Sequence, residues 1–401
     1  MNLFRSVSKN KLIDKNVYRL EDISDSDIKF SGSNDAIRGE GINLRFRQWM
    51  QINGIHKVCQ FRNGDGDNYD EKDKKPLNFY MDYAYFEKMR ANWKFPYHFI
   101  DFETSTPALP FFAHMSPFAP IAFQFSHHIM YEDGRVEHVG EFLNTSTARD
   151  RLYEGGKTWL GPNIDFIREL KKQLERDDGT VFRWTAHEHT ILKAILQEFQ
   201  CLRAALPSDV DVDVEELKIL EQFIVTMVGD VDNDIAPTRS SHDLWQLASG
   251  AYFHPLSDGS SSIKALLRPV MSSSSFLEKK YSSPDYVGMN FKDMAWWRQK
   301  EGEGDCDGAL TTSTKIRCQD PYRLLAQDYP SCSMIVKDGG SATAAYSTCQ
   351  WGHLSEAEKA AIEKALLRYC ELDTLAMVIV LEGFIDFASG SGGGGGGGGE
   401  I

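Results

Sequence analysis

Apolar side chains in the middle of the chain come in short continuous runs, which are typical of buried strands. Residues 97–143 contain three such runs, and the first of them directly follows Pro96. The last run covers residues 136–143, and Glu132-Asp-Gly-Arg135 in front of it predicts a hairpin turn. The pattern therefore predicts three strands in succession.

The periodicity changes after these strands. Residues 162–176 predict a helix, residues 180–185 predict a strand, and a second helix follows from 186 to about 206. Strands that alternate with helices predict an α/β domain with a mixed sheet flanked by helices.

A long helix is predicted near the end of the chain. Ser355 and Glu358 have the spacing of a capping box, and apolar residues at helical intervals follow over 360–379. Tyr369 and Asp373 are four residues apart on this helix and so project from one face. On its own, such a pair indicates only a hydrogen bond.

Two carboxylates belong to the first predicted strand. Asp101 and Glu103 are two residues apart, so their side chains leave the same face. An ionised pair on a buried strand is costly unless a cation compensates it, and a divalent metal with hard oxygen ligands does so. The alternative is a strand end with two solvated acids.

The N-terminal part, residues 1–92, is polar and mixed, and it predicts a helical or irregular segment. Helices are predicted over 44–52 and 80–93, and the acidic stretch 65–73 predicts a loop, since it lacks the spacing of a calcium loop.

The main domain is predicted over residues 93–388. Within it, residues 272–350 are rich in Ser, Gly and Asp and predict an irregular, elaborated insertion. A protein partner would bind through residues 1–92 or through this insertion. The glycine run over 389–401 predicts a flexible tail.

The composition restricts the function. The 401 residues include seven cysteines without a CxxC pair, which indicates reduced thiols. The sequence does not open on a charged stretch followed by an apolar one, and no apolar run reaches membrane length, so neither secretion nor membrane insertion is expected. A cytoplasmic location without membrane insertion is expected. The net charge of −14 argues against a broad nucleic-acid-binding surface, although a metal centre neutralises its own carboxylates.

Together, the strand Ile100-Asp-Phe-Glu-Thr104 and the pair Tyr369/Asp373 resemble the DEDD superfamily of 3′–5′ exonucleases, in its tyrosine variety. The resemblance covers about residues 90–385 and is closest to a bacterial family of domains of unknown function. It rests on four segments in order, which are IDFET, PFAPIAFQFSHH, SIKALL and YCELDTLAMV. The fold that the resemblance implies is ribonuclease-H-like.

The third acidic motif departs from the superfamily pattern. Glu188 stands where the superfamily has Asp, and Leu192 keeps the spacing, while His187 occupies the position of the usual Phe. An acid in the first turn of a helix is also favoured by the helix dipole. The segment is not a zinc-protease motif, because Ile191 stands where HExxH needs histidine, and the downstream cysteines of zinc deaminases are absent.

The resemblance implies hydrolysis of DNA or RNA from a 3′ end with two Mg²⁺ or Mn²⁺ ions. Asp101 would bridge both ions, Glu103 and Asp373 would hold the ion that activates water, Glu188 would help to hold the other ion, and Tyr369 would orient the attacking water.

Four further residues are candidates for substrate contact: Asp243, Ser262, Lys264 and His187. Two alternatives stay open on the same fold. The first is a non-catalytic nucleic-acid-binding or scaffold module, and the second is an endonuclease.

Overall fold

The computed structural model of the chain describes residues 9–60, 69–70, 75–76, 78–147, 150, 157–282, 288–290, 296–299, 316–327 and 336–391. The helices in these segments are α1 (Lys9–Asp14), α2 (Asp25–Ile28), α3 (Leu44–Asn53), α4 (Tyr83–Arg90), α5 (Pro162–Leu174), α6 (His187–Ala204), α7 (Val214–Val228), α8 (Leu244–Ala251), α9 (Ile263–Ser273), α10 (Ser275–Tyr281), α11 (Pro321–Gln327), α12 (Gly339–Trp351) and α13 (Glu356–Ser391). The strands are β1 (Tyr69–Asp70), β2 (Lys75–Pro76), β3 (Tyr80–Met81), β4 (Tyr97–Ser105), β5 (Ile121–Met130), β6 (Val136–Leu143), β7 (Val181–Arg183), β8 (His242–Asp243), β9 (Tyr252–Phe253), β10 (Trp297–Gln299) and β11 (Ile316–Cys318).

A mixed sheet of five strands, in the order β6-β5-β4-β7-β8, forms the centre of the fold. β4, β5 and β6 are antiparallel neighbours, whereas β7 runs parallel to both β4 and β8. The three strands that were predicted over residues 97–143 are confirmed, and so is the mixed α/β sheet with flanking helices. The α/β architecture follows from the parallel pairs, which need the helical connections between them.

Helices cover both faces of this sheet. Alternate side chains of β4 enter opposite cores, because Phe99 packs in the core under α13, whereas Ile100 and Phe102 pack in the core of α5, α6 and α7. Asp101 and Glu103 are two and four residues after Phe99, so their side chains point to the same face of the sheet, the face that α13 covers. The sheet thereby directs both carboxylates at the late helix.

The capping box predicted for that helix is present. Glu358 accepts hydrogen bonds from the backbone N–H and the hydroxyl of Ser355, and the Glu358 N–H donates back to the Ser355 hydroxyl. α13 is 36 residues long and continues to Ser391. The first three residues of the predicted flexible tail are therefore helical, and residues 392–401 lie outside the described part of the chain.

The N-terminal segment confirms one predicted helix and corrects the other. Leu44–Asn53 is helical as expected, but Tyr80 and Met81 form β3 and pair with β9 before α4 begins. Asp82 separates the two elements, since its carboxylate accepts from the Tyr85 N–H as an N-cap. Of the acidic stretch predicted as a loop, Tyr69 and Asp70 form β1, and the rest lies outside the described residues.

The predicted irregular insertion over residues 272–350 is wrong for several of its described parts. It contains α10, α11 and α12 together with the antiparallel pair β10–β11. α12 has its own start signal, because Asp338 and Ser341 form a reciprocal capping box. Small residues such as Gly339 and Ala342 obscured this helix in the sequence. Among the described helices, not even α13 is apolar enough over a sufficient length to cross a bilayer.

Candidate metal centre

Asp101 and Glu103 lie side by side at the centre of the sheet. In the β4–β5 ladder, Asp101 is opposite Ser126 and Glu103 is opposite Gln124, and the register shifts between Glu103 and Thr104. This shift interrupts the regular pairing of β4 with β5 directly after Glu103. A bulge at this point is a common device for aiming a side chain at a site.

α13 supplies the third carboxylate. One ligand oxygen from each of Asp101, Glu103 and Asp373 lies within 4.8 Å of the others. Tyr369, one turn earlier on α13, hydrogen-bonds with the Asp373 carboxylate, as the spacing predicted. The Cys370 thiol between them lies 3.6 Å from the Asp101 carbonyl oxygen and so packs α13 against β4. We call Asp101, Glu103 and Asp373 the acidic cluster.

Burial and mutual repulsion make the acidic cluster hard to ionise. Glu103 and Asp373 are only 6% and 8% exposed, and Asp101 is half-buried. Removal from water and the Asp373 charge raise the pKa of both Asp101 and Glu103 well above the usual range. Burial also raises the pKa of Asp373. A bound cation would relieve both costs, so the donor set fits a divalent metal.

Glu188 lies next to the acidic cluster in the first turn of α6. It is 2% exposed, and burial raises its pKa to about 8, although Arg183 and a hydrogen bond with Asp101 act in the opposite direction. Its Oε2 atom has no hydrogen-bond partner among the described residues. A buried carboxylate oxygen without a hydrogen-bond partner beside the acidic cluster fits the position of a cation ligand.

Lys264 places a positive charge at the acidic cluster. Its ammonium donates to the Tyr369 hydroxyl at 2.8 Å and to the Lys337 carbonyl at 3.0 Å. Its charge lowers the pKa of each member of the cluster, against the effect of burial. The structure therefore brings Lys264 together with the acidic cluster and Tyr369.

The sequence did not single out Tyr322, which contacts the acidic cluster. Its hydroxyl donates to Asp373 Oδ1 at 2.5 Å, and Lys264 Nζ lies 5.1 Å from the centre of its ring. Tyr322 belongs to α11, inside the insertion that was predicted to be irregular. No local pattern marks it, since the contact joins segments 51 residues apart.

The other three substrate candidates have structural contacts. Asp243 is the N-cap of α8 and accepts from the Thr185 and Trp245 N–H groups. Ser262 is the N-cap of α9. His187 stands at the rim, with Nε2 3.1 Å from the hydroxyl of Thr104, the residue after Glu103. Asp243 still acts on the site electrostatically, because its charge raises the pKa of Glu188.

A cavity of about 450 Å³ lies elsewhere, between α5, α6 and the segment before β5. Its lining includes Glu198, whose pKa burial raises to about 7, and Asn163, which donates to that carboxylate at 2.7 Å. None of its lining residues belongs to the acidic cluster. The candidate chemistry is therefore assigned to the cluster and not to this cavity.

The raised pKa of Glu188 predicts how the stability of the metal-free protein depends on pH. Below about pH 4.5 Glu188 is protonated in the folded and the unfolded chain alike. Between about 4.5 and 8 only the unfolded chain releases the proton, so the free energy of unfolding falls as the pH rises. Glu188→Gln should flatten this decline in a chelator-treated melting series from pH 5 to 8. Glu215→Gln is the matched control, because Glu215 is an exposed first-turn glutamate of α7. Equal slopes for all three proteins would exclude a buried, perturbed Glu188.

One comparison with known proteins gives a match. Residues 98–262 match a family described as a domain of unknown function (DUF2779). No curated protein and no solved structure matches the chain. The matched segment contains Asp101, Glu103 and Glu188 and ends two residues before Lys264. This part of the chain is thus similar to a family of domains of unknown function, as the sequence predicted.

Proposed function

We propose that the protein is a metal-dependent nuclease with a ribonuclease-H-like fold, and that it hydrolyses DNA or RNA from the 3′ end. The observation that carries the proposal is the acidic cluster, in which the carboxylates of Asp101, Glu103 and Asp373 converge from a central strand and a late helix. Ionised carboxylates this close together in a largely buried position are costly unless positive charge compensates them, and a bound cation supplies more of it than Lys264 alone.

The donor set favours a hard divalent ion. Asp101, Glu103 and Asp373 would hold Mg²⁺ or Mn²⁺, and Glu188 is placed beside Asp101 to help hold a second ion. When bound, such ions supply charge stabilisation to a phosphate and lower the pKa of an attacking water. The sheet and α13 provide the rigid support that a preorganised centre requires.

Tyr369 would orient the attacking water, and Lys264 would interact with the substrate phosphate. Burial and the neighbouring carboxylates raise the pKa of Tyr369 far above its usual range, so its hydroxyl stays protonated and is a hydrogen-bond donor rather than a base. Tyr369 is only 3% exposed, which fixes its direction. The Lys264 ammonium can stabilise negative charge on a phosphate that approaches the acidic cluster.

The net charge of −14 limits the kind of substrate. A duplex-binding surface needs many phosphate contacts, and an acidic protein does not favour them. An enzyme that holds only a few terminal nucleotides needs little positive surface, and bound ions offset the local carboxylates. These considerations support a strand end as the substrate.

End-labelled DNA and RNA oligonucleotides, incubated with Mg²⁺ or Mn²⁺, test the proposal. A ladder of products shortened from the 3′ end, which a chelator abolishes, is expected. Circular single strands of the same composition should stay intact. Cleavage of the circles would assign an endonuclease instead, and no cleavage of either substrate would contradict a nuclease.

The acidic net charge favours a second candidate, a non-catalytic module that kept the fold. The hydrogen bonds from Tyr322 and Tyr369 to Asp373 would also suit a site that stabilises this carboxylate without binding metal. Calorimetric titration with Mn²⁺ separates the candidates, because the nuclease must bind the ion and a decayed site need not.

A further inference from the structure

A second group of metal-ligand side chains lies outside the acidic cluster. One ligand atom from each of His138, Glu141 and Glu371 lies within 4.8 Å of the others. Glu371 is two residues before Asp373 on α13, about 200° away around the helix axis. The two groups therefore use different sides of the same helix.

A β-bulge creates this second group. In the ladder between β5 and β6, His127 is opposite Gly140 and His128 is opposite His138, so Val139 is an extra residue. In a regular strand, residues three apart leave opposite faces. The bulge instead places His138 and Glu141 on one face, the face that α13 covers.

The hydrogen bonds around His138 use only one of its two ring nitrogens. The Thr374 hydroxyl lies 3.1 Å from the Glu371 carbonyl oxygen and 2.7 Å from both Ser126 Oγ and His128 Nδ1. Ser126 Oγ is hydrogen-bonded with His138 Nε2 at 2.9 Å, which occupies one of the two ring nitrogens. The other nitrogen, Nδ1, is buried and has no hydrogen-bond partner among the described residues. It lies 3.4 Å from Glu371 Oε2, and neither side chain has accessible surface.

Asn290 fixes the two carboxylates. Its backbone N–H donates to Glu371 Oε2 and its side-chain amide donates to Glu141 Oε2, both at 2.8 Å. Outer contacts of this kind orient metal ligands. Glu141 is half-buried and gives an ion a route from solvent.

We propose that His138 Nδ1, Glu141 and Glu371 form a second metal site that binds a divalent cation of the zinc class. One imidazole and two carboxylates suit Zn²⁺ better than Mg²⁺, which prefers oxygen ligands alone. The ion would join the edge strand β6 to α13, the helix that carries Tyr369 and Asp373. The site does not depend on the proposed nuclease activity.

Titration with Co²⁺, followed by visible absorption, tests the site in the full chain. Asp101→Asn serves as the background, because it weakens the acidic cluster. In that background Glu141→Gln and Glu371→Gln should each weaken Co²⁺ binding by at least about 10-fold, and both should lose the rise in melting temperature that Zn²⁺ gives. Glu137→Gln, the same change on the same strand outside the group, should behave as the background does.

Both glutamine variants keep an oxygen that can accept from Asn290, so their folds should be retained, and cooperative melting checks this. Equal Co²⁺ affinity in all the proteins, or no Co²⁺ binding by the background protein, would overturn the proposal and leave a buried His138–Glu371 ion pair. Neither result bears on hydrolysis, which is measured separately with Mg²⁺ or Mn²⁺.

Discussion

Replacing Asp101 with asparagine should abolish hydrolysis and, at the same time, raise the melting temperature of the metal-free protein. Loss of a preorganised charged group at a reacting centre typically lowers the rate by about 10²–10³-fold or more, and Asp101 is central to the acidic cluster. The stability gain has a separate cause. Removal from water, together with the charges of Asp373, Glu188 and Glu103, raises the pKa of Asp101, so ionising it in the folded chain costs free energy. Asparagine removes that cost.

The measurements are single-turnover cleavage with Mn²⁺ and melting with a chelator, both at a pH near 7.5. Asp133→Asn is the matched control, because Asp133 lies exposed in the turn between β5 and β6. It should leave both quantities near the wild-type values. A variant at Asp101 that still cleaves at the wild-type rate would refute the assigned centre. A lower melting temperature in the chelator would show instead that Asp101 stabilises the apo fold.

Local patterns in the sequence were sufficient for the elements that hold the first carboxylates. The apolar runs predicted β4, β5 and β6, and the capping box at Ser355 predicted the start of α13. The period of two on β4 placed Asp101 and Glu103 on one face. These features depend on neighbouring residues, so the sequence alone reveals them.

Contacts between distant segments could not be predicted in the same way. Tyr322 reaches Asp373 from a helix in a region without periodic pattern. β3 and β9 are two-residue strands about 170 positions apart, too short to leave a signal. The bulge at Val139 turns the Glu141 side chain to the same face of the sheet as His138, whereas in a regular strand the two would point to opposite faces. Each of these features is determined by tertiary packing, which overrides local preference.

Removing the hydroxyl group of Tyr369 should have a large effect on the rate of cleavage. Tyr369→Phe should lower the cleavage rate by about 10²-fold, the scale of one well-placed hydrogen-bond donor in a reacting centre, while Mn²⁺ affinity stays near the wild-type value. The phenol cannot act as a base, because burial and the Asp373, Glu103 and Asp101 charges keep it protonated. It also lies outside the group of three carboxylates that can hold the ion. The role proposed for it is to orient a water above Asp373.

Asp373→Asn separates orientation from metal binding, because it removes a carboxylate of the acidic cluster itself and should lower both the rate and the Mn²⁺ affinity. Tyr322→Phe is the matched control for the phenol, since Tyr322 also hydrogen-bonds to Asp373 but approaches it from α11. All four proteins are compared by titration of Mn²⁺ and by single-turnover cleavage of a 3′-labelled oligonucleotide. If Tyr369→Phe cleaves as fast as the wild type, Tyr369 only packs α13 against its neighbours. If Tyr322→Phe instead loses the rate, the water is oriented from α11, and the tyrosine of the late helix is not the positioning residue.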